Sequence, residues 1–258
     1  MQRLKSRFQT LAIKEVNLEY FAAALVFFFA AMLQGISGFG SGLLAVPILA
    51  LWFPISVLTP ALSVINIMVG AWIYWKNREA ARPSQWKWLI ISGVITSIVA
   101  GSLLLAIDDQ LIKLVLGLVI LAVALALASG KQFPTAEHAP GHIAVGSSSG
   151  ILNGLMTLGG PPIVLFLANA RIPKQQFRAT LSLFFCCIAI ANVFNFSRQG
   201  IYADAHFYLI LSLLPGALIG ATVGHKLQHH VSEYRFRQLT LVLMMLSGVS
   251  VLAQSISL

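Results

Sequence analysis

Long apolar blocks alternate with short charged segments along the whole chain of 258 residues. Seven blocks contain no Asp, Glu, Lys or Arg, and they cover residues 20–75, 88–107, 114–130, 143–170, 179–197, 207–224 and 238–258. Several are close to the ~20 residues that an α-helix needs to cross ~30 Å of hydrocarbon. They are too long for barrel strands, which alternate in segments of about ten residues. The pattern therefore predicts an all-α polytopic membrane protein.

The first block, residues 20–75, is too long for one membrane helix. As a continuous helix, its 56 residues would extend about 84 Å, nearly three bilayer crossings. Glycine and proline mark where the helix breaks: the run from Gly35 to Gly42, then Pro47, then residues 53–60. We therefore predict that the first half consists of helices over residues 18–34, 43–53, 57–76, 86–107 and 110–129.

The second half repeats this order of segments. The stretch "GISGFGSGLLAVPIL" (35–49) aligns with "GILNGLMTLGGPPIV" (150–164), which pairs Gly35 with Gly150 and Pro47 with Pro162. Further matches follow in the same order, at an offset that drifts only from 115 to 123. Their order and spacing predict an internal duplication with a glycine-broken short helix in each copy.

The distribution of Lys and Arg predicts that the two copies are inverted. Cytoplasmic loops of membrane proteins carry an excess of these residues. Here they follow the third helix of copy one and the second and fourth helices of copy two: Lys76, Arg78, Arg82, Lys87, Arg171, Lys174, Arg178, Lys226, Arg235 and Arg237. If all of these are cytoplasmic, equivalent loops lie on opposite sides of the membrane, as in many secondary transporters.

The N-terminal cations conflict with this topology, because five crossings per copy would leave them outside. Two explanations stay open: the N-terminal segment is a misleading guide, or the short helix enters the membrane without crossing it. We predict about 8–10 hydrophobic helical segments. The predicted organisation begins with a retained basic N-terminal segment, residues 1–17, which is suited to the membrane surface. The first repeat covers residues 18–130, a linker covers 131–141, and the second repeat covers 142–258.

Composition supports the membrane assignment and excludes several function classes. The chain is 58% hydrophobic and 10% charged, and its mean hydropathy is +0.84. The net charge of +9 is explained by loop topology, so we expect no nucleic-acid partner. We expect no metal, no cofactor and no enzymatic activity, because no apolar block holds a cluster of acids, bases or nucleophiles. The adjacent Cys186 and Cys187 are interpreted as helix-packing residues.

The glycine-rich breaks are the candidate functional site. Non-helical backbone at membrane depth must be buried in protein or line a wet cavity, and a helix that restarts there presents free N–H groups and a positive dipole end to an anion. Inversion would bring both restarts face to face. The candidate substrate-binding residues are Gly35, Ser37, Gly38, Gly40, Ser41, Gly42, Pro47, Asn66, Gly150, Asn153, Gly154, Thr157, Gly159, Gly160, Pro161 and Pro162.

Other interpretations of these residues exist. Glycines four residues apart, as in Gly38 with Gly42 and Gly150 with Gly154, also fit helix–helix packing. Asn66, Asn192 and Asn195 either line the pathway or bond across helices. Arg178 could be a gate cation, although we expect an anchor at the cytoplasmic end. His225 and His229, four residues apart, are expected to lie at a solvated basic end rather than to bind a metal.

Three segments carry a resemblance to a known family. "GISGFGSGLLAVPIL", "GILNGLMTLGGPPIVLFL" and "RIPKQQFRATLSL" (171–183) resemble the two glycine-rich signatures and the following basic segment of the TauE/SafE sulfite exporter family, also called the four-toluene-sulfonate uptake permease family. The likeness covers nearly the whole chain. The family's glycine-rich positions correspond here to Gly35, Gly38, Gly40, Gly42 and Pro47, and to Gly150, Gly154, Gly159, Gly160, Pro161 and Pro162.

The resemblance implies a multi-pass transporter of the bacterial inner membrane. Its expected substrates are sulfite, sulfonates such as sulfoacetate, or related small organic anions, moved by alternating access around the two broken helices. The alternatives are a ten-helix metabolite or drug exporter and an assembly factor for another membrane complex. The partners expected are the small anion and the lipid bilayer.

Overall fold

The computed structural model describes residues 2–128, 139–170 and 172–228, together with positions 245, 249, 252 and 253. This part of the chain is helical and contains no strand. The helices are α1 (Gln2–Ser37), α2 (Ser41–Leu49), α3 (Ile55–Asn77), α4 (Lys87–Ser102), α5 (Asp109–Ala128), α6 (Ala139–Met156), α7 (Gly160–Asn169), α8 (Lys174–Arg198) and α9 (Asp204–Leu227). The all-α fold is confirmed.

Four of the described helices are long and apolar enough to cross a membrane: Glu19–Ser37, Ile55–Ala80, Lys174–Arg198 and His206–Leu227. Large apolar side chains on their outer faces are exposed, such as Phe21, Phe194 and Phe207. Such a surface suits lipid and not water. The protein is therefore a membrane protein, as its hydropathy predicts.

The predicted breaks are close to the observed ones, with three differences. The helix α1 begins at Gln2, so the boundary expected near residue 17 coincides with no interruption. The second break ends at Pro54, the N-cap of α3, and Pro60 is accommodated inside that helix. The fourth helix ends at Ser102 rather than at residue 107. The linker expected over 131–141 lies largely outside the described residues, and the domain division stays a prediction.

Two helix pairs pack with their backbones in direct contact. The helix α9 lies on α1, and α6 lies on α4. On α9, a Cβ added at Gly220 or Gly224 would overlap the carbonyl oxygen of Phe28 or Met32. Small residues at such positions are what let membrane helices approach closely, because association there depends on van der Waals packing.

The contacts between helices keep their pattern when the two halves are exchanged. The helices α3 and α8 pack together at the centre, while α1 contacts α9 and α4 contacts α6. The ends of α1 and α6, at Ser37 and Met156, are 119 positions apart, and so are the starts of α2 and α7, at Ser41 and Gly160. An inverted duplication remains a prediction that this pattern supports.

The element bounds correct the sequence alignment of the two signatures. At an offset of 119, Gly35 corresponds to Gly154 rather than to Gly150, and Gly40 corresponds to Gly159. The offset of 115 in the sequence alignment results from pairing Pro47 with Pro162. Proline occupies different places in the two short helices, the interior of α2 and the first turn of α7.

We expect Gly220→Ala to lower the Tm of the protein purified in detergent. The added methyl group meets the Phe28 carbonyl oxygen, and overpacking typically costs ~1–3 kcal/mol. The control is Thr222→Ala, an exposed position on the same helix, which should leave the Tm nearly unchanged. Equal melting temperatures for the two variants would contradict the backbone contact between α1 and α9.

Candidate functional site

The first break lies between α1 and α2 and depends on two glycines in left-handed conformations. The φ angles of Gly38 and Gly40 are 87° and 101°, a region that residues with a Cβ rarely adopt. The amide of Phe39 donates to the Ser37 hydroxyl at 3.2 Å, which satisfies one backbone group inside the turn. The chain therefore stops α1 and restarts as α2 within three residues.

The second break uses a threonine where the first uses a glycine. The φ angle of Thr157 is +57°, and Thr157 is the only non-glycine residue with positive φ in the part of the chain that the structure describes. The turn is closed by Thr157 N–H to Asn153 O at 2.9 Å and by Leu158 N–H to Leu152 O at 3.2 Å. A β-branched residue in this region is strained, and such strain concentrates at functional sites.

The two breaks meet inside the protein. A Cβ added at Gly42 would overlap the Thr157 carbonyl oxygen, and one at Gly160 would lie 3.4 Å from the Phe39 ring. Between the breaks is a small cavity that opens partly to the exterior. It is lined by Gln34, Phe39, Gly40, Ser41, Gly42, Leu43, Asn66, Asn153, Thr157, Leu158, Gly160 and Phe185.

Eight of the twelve lining residues form pairs at corresponding positions of the two halves. Gln34 and Asn153, Phe39 and Leu158, Ser41 and Gly160, and Asn66 and Phe185 are each 119 positions apart. The corresponding residues differ in chemistry, since Asn66 is matched by an aromatic ring and Ser41 by a glycine. The cavity is therefore built from equivalent positions, but its two walls are unlike.

The start of α2 supplies unpaired backbone amides to the cavity. The first intrahelical partner at this end is Leu44 N–H, which donates to Gly40 O at 3.3 Å. The amides of Ser41, Gly42 and Leu43 precede it and find no acceptor among the described residues. These three N–H groups and the helix dipole together favour a negative charge.

The start of α7 is not an equivalent donor. Its second and third residues are Pro161 and Pro162, which have no N–H group. Only Gly160 can offer a free amide in the first three positions. The prediction that both restarts act alike as anion cradles is therefore wrong in this respect, because the prolines that suggested the site also remove its donors.

Two asparagine side chains add donors to the same cavity. The Asn66 Oδ1 atom accepts a hydrogen bond from Ser41 Oγ at 3.3 Å, and the Asn153 Oδ1 atom accepts one from Asn192 Nδ2 at 3.5 Å. Their NH₂ groups have no acceptor in the described part of the chain, and neither does the buried Thr157 hydroxyl. The lining residues include no charged side chain. The polar wall thus offers several hydrogen-bond donors beside one acceptor without a partner among the described residues, the Oε1 atom of Gln34.

Apolar side chains form the rest of the lining. Phe39, Leu43, Leu158 and Phe185 border the cavity. The Phe39 ring meets the Phe177 ring edge-on, with the centroids 6.5 Å apart. This wall can accommodate a carbon substituent beside a polar headgroup.

Seven of the predicted site residues line the cavity: Gly40, Ser41, Gly42, Asn66, Asn153, Thr157 and Gly160. Of the others, Ser37 and Gly38 form the first turn, while Pro47, Pro161 and Pro162 lie inside the short helices. Gly35, Gly150, Gly154 and Gly159 face the backbone of neighbouring segments. Sequence reasoning missed Gln34, Phe39, Leu43, Leu158 and Phe185. The first four immediately adjoin a predicted glycine, whereas Phe185 lies inside α8 without such a signal.

Arg178 is buried inside the protein near the start of α8. It is 3% exposed, and its Nη2 atom donates to Gly35 O at 2.7 Å. No carboxylate pairs with it among the described residues. A cation at the C-terminal end of α1 caps an unpaired carbonyl and interacts favourably with the helix dipole.

The equivalent contact in the other half is neutral. Thr59, which precedes Arg178 by 119 positions, donates through Oγ1 to Leu155 O at 3.0 Å near the end of α6. His225 is also more buried than expected. Its ring packs edge-on against Trp72 at 5.2 Å, and its Nδ1 atom lies 3.4 Å from Arg178 Nη2. His229 lies outside the described residues.

Thr157→Gly should melt at a higher temperature than Thr157→Ala. Both variants lack the hydroxyl group, but only glycine adopts positive φ without strain, a difference of ~1 kcal/mol. The Tm of each purified variant provides the test. At Thr222, inside a regular helix, the order should reverse because glycine costs ~1 kcal/mol there. The same order at both positions would argue against strain at Thr157.

Comparison with known proteins identifies the family. A model of the family described as "Sulfite exporter TauE/SafE" matches residues 23–251. No curated protein and no solved structure matched the chain. The family match spans both breaks, all the cavity-lining residues and the helices that pack around them. The chain therefore belongs to the TauE/SafE sulfite exporter family.

Proposed function

We propose that the protein is a secondary transporter that moves sulfite, a sulfonate such as sulfoacetate, or a related small organic anion across the bacterial inner membrane. Its family is one of membrane transporters for sulfite-type anions. The observation that carries the proposal is the set of three amides at the start of α2 that have no acceptor among the described residues and belong to residues lining the cavity.

Physical chemistry favours an anion at these amides. An unpaired N–H group buried at membrane depth is unfavourable, because no water satisfies it there. An anion bound at the helix start satisfies these groups and interacts with the positive end of the dipole. Hydrogen bonds to charged groups contribute ~1.5–3 kcal/mol each, more than neutral ones. The absence of a lining cation keeps the site from holding the anion too tightly to release it.

The arrangement of the helices supports alternating access. The cavity lies where the α1–α2 break of the first half meets the α6–α7 break of the second. In inverted-repeat transporters the substrate binds at this kind of interface, and one repeat rocks against the other. The matched helix contacts of the two halves fit such a movement. No carboxylate lines the cavity, so none of the lining residues can couple anion transport to a cation through a carboxylate.

Transport by the purified protein in proteoliposomes tests the proposal. Vesicles loaded with sulfite or sulfoacetate should lose these anions faster than protein-free vesicles, and a neutral solute of similar size should be retained. Release should be electrically driven if the anion crosses alone, which an imposed K⁺ diffusion potential would reveal. Equal permeation of neutral solute and anion would refute the anion site.

Removal of one amide tests the helix start directly. Leu43→Pro deletes an N–H group at the third position of α2, and the equivalent position of α7 is already Pro162. We expect the affinity for sulfite to fall about tenfold or more, as for a lost bond to a charged group. Leu43→Ala is the matched control, because it removes the same side chain and keeps the amide. Equal affinities of the two variants would show that the amide makes no contact with the anion.

A further inference from the structure

A chain of three buried polar side chains leads from α4 to the cavity. The Ser97 hydroxyl donates to Asn192 Oδ1 at 2.8 Å, and Asn192 Nδ2 donates to Asn153 Oδ1 at 3.5 Å. Ser97 and Asn192 are completely buried and do not line the cavity. Asn153 is 6% exposed and does line it. The three residues lie on α4, α8 and α6, so the chain crosses three helices.

In the structure, the order of donors and acceptors determines which side of the Asn153 carboxamide meets the cavity. A carboxamide has an acceptor oxygen on one side and a donor NH₂ group on the other. Because Ser97 donates to the oxygen of Asn192, the NH₂ group of Asn192 points to Asn153. The oxygen of Asn153 is therefore engaged, and its NH₂ group remains without an acceptor in the described residues. Reversal of Asn153 alone would set its NH₂ group against that of Asn192.

We propose that Asn192, supported by Ser97, is a positioning residue that determines anion selectivity by holding the NH₂ group of Asn153 toward the bound ligand. This inference rests on the proposed anion site. A freely rotating Asn153 would present its oxygen to an anion in part of the population, and the carbonyl oxygen repels a negative charge. A locked NH₂ group is preorganised for the anion, which removes the cost of ordering the side chain on binding.

The other half of the molecule shows no equivalent chain among the described residues, since the counterpart of Asn153 is Gln34, whose Oε1 atom has no partner there. There Asn66 is oriented by a neighbour that itself lines the cavity, Ser41. The position equivalent to Asn192 is Ile73, which is fully buried and apolar. An asparagine at this position occurs in the second half only, where the second and third residues of α7 are prolines and have no N–H group. The orientation of Asn153 therefore supplies a donor on the wall where the backbone offers least.

The alternative role for Asn192 is to hold helices together, and a double-mutant cycle on sulfite affinity separates the two roles. Asn192→Leu alone should raise the Kd for sulfite about threefold to tenfold, the range for one lost hydrogen bond. In an Asn153→Leu background the same substitution should have no further effect on the Kd, because the group that it orients is gone. Ser97→Ala provides a milder second variant, with the same direction and the same dependence on Asn153.

Asn195→Leu is the matched structural control. Asn195 lies one turn further along α8 and donates to Ile98 O of α4 at 3.2 Å, without lining the cavity. This variant should lower the Tm but leave the Kd for sulfite unchanged. The inference is overturned if Asn192→Leu leaves the Kd unchanged, or raises it equally in both backgrounds. If the wild-type protein binds neither sulfite nor sulfoacetate, the proposed function itself fails.

Discussion

The interruption of two helices inside an apolar protein imposes the constraint on which the rest of the structure depends. Each interruption frees N–H and C=O groups that no water can satisfy at membrane depth. Several of them find partners within the fold. The Ser37 hydroxyl accepts a hydrogen bond from an amide of the first turn, and Arg178 and Thr59 donate to carbonyl groups near the ends of α1 and α6. The three amides at the start of α2 find no acceptor among the described residues. The candidate site therefore consists of backbone N–H groups that have no hydrogen-bond partner within the described fold.

Close backbone contact brings these groups together. The helices α1 and α9, and likewise α4 and α6, approach closely because glycine removes the side chains between them. This packing fixes the two breaks against each other and leaves a cavity between them. Glycine thus has two separate roles in the chain. At Gly38 and Gly40 it permits the turn, whereas at Gly150 and Gly154 it permits a neighbouring helix to approach.

The breaks and the short helices were predictable, because glycine and proline punctuate an otherwise uniform apolar sequence. The role of each glycine could not be predicted, because the sequence shows that a side chain is absent but not which part of the protein packs against that position. Arg178 illustrates the same limit, since its burial depends on a carbonyl 143 positions earlier in the chain. The strain at Thr157 had no local signal. The offset of 119 between corresponding positions of the two halves follows only from the helix bounds, because the prolines suggested an offset of 115.

The contacts of Arg178 and Thr59 have a consequence for how the molecule loosens. A charge-assisted hydrogen bond is roughly twice as strong as a neutral one, and the two contacts stand at equivalent places. Amide hydrogen exchange, which reports local opening, is therefore expected to start at the end of α6 before it reaches the end of α1. The end of α1 is thus held more firmly than the end of α6, although the donors of the two contacts lie 119 positions apart, at corresponding positions of the two halves.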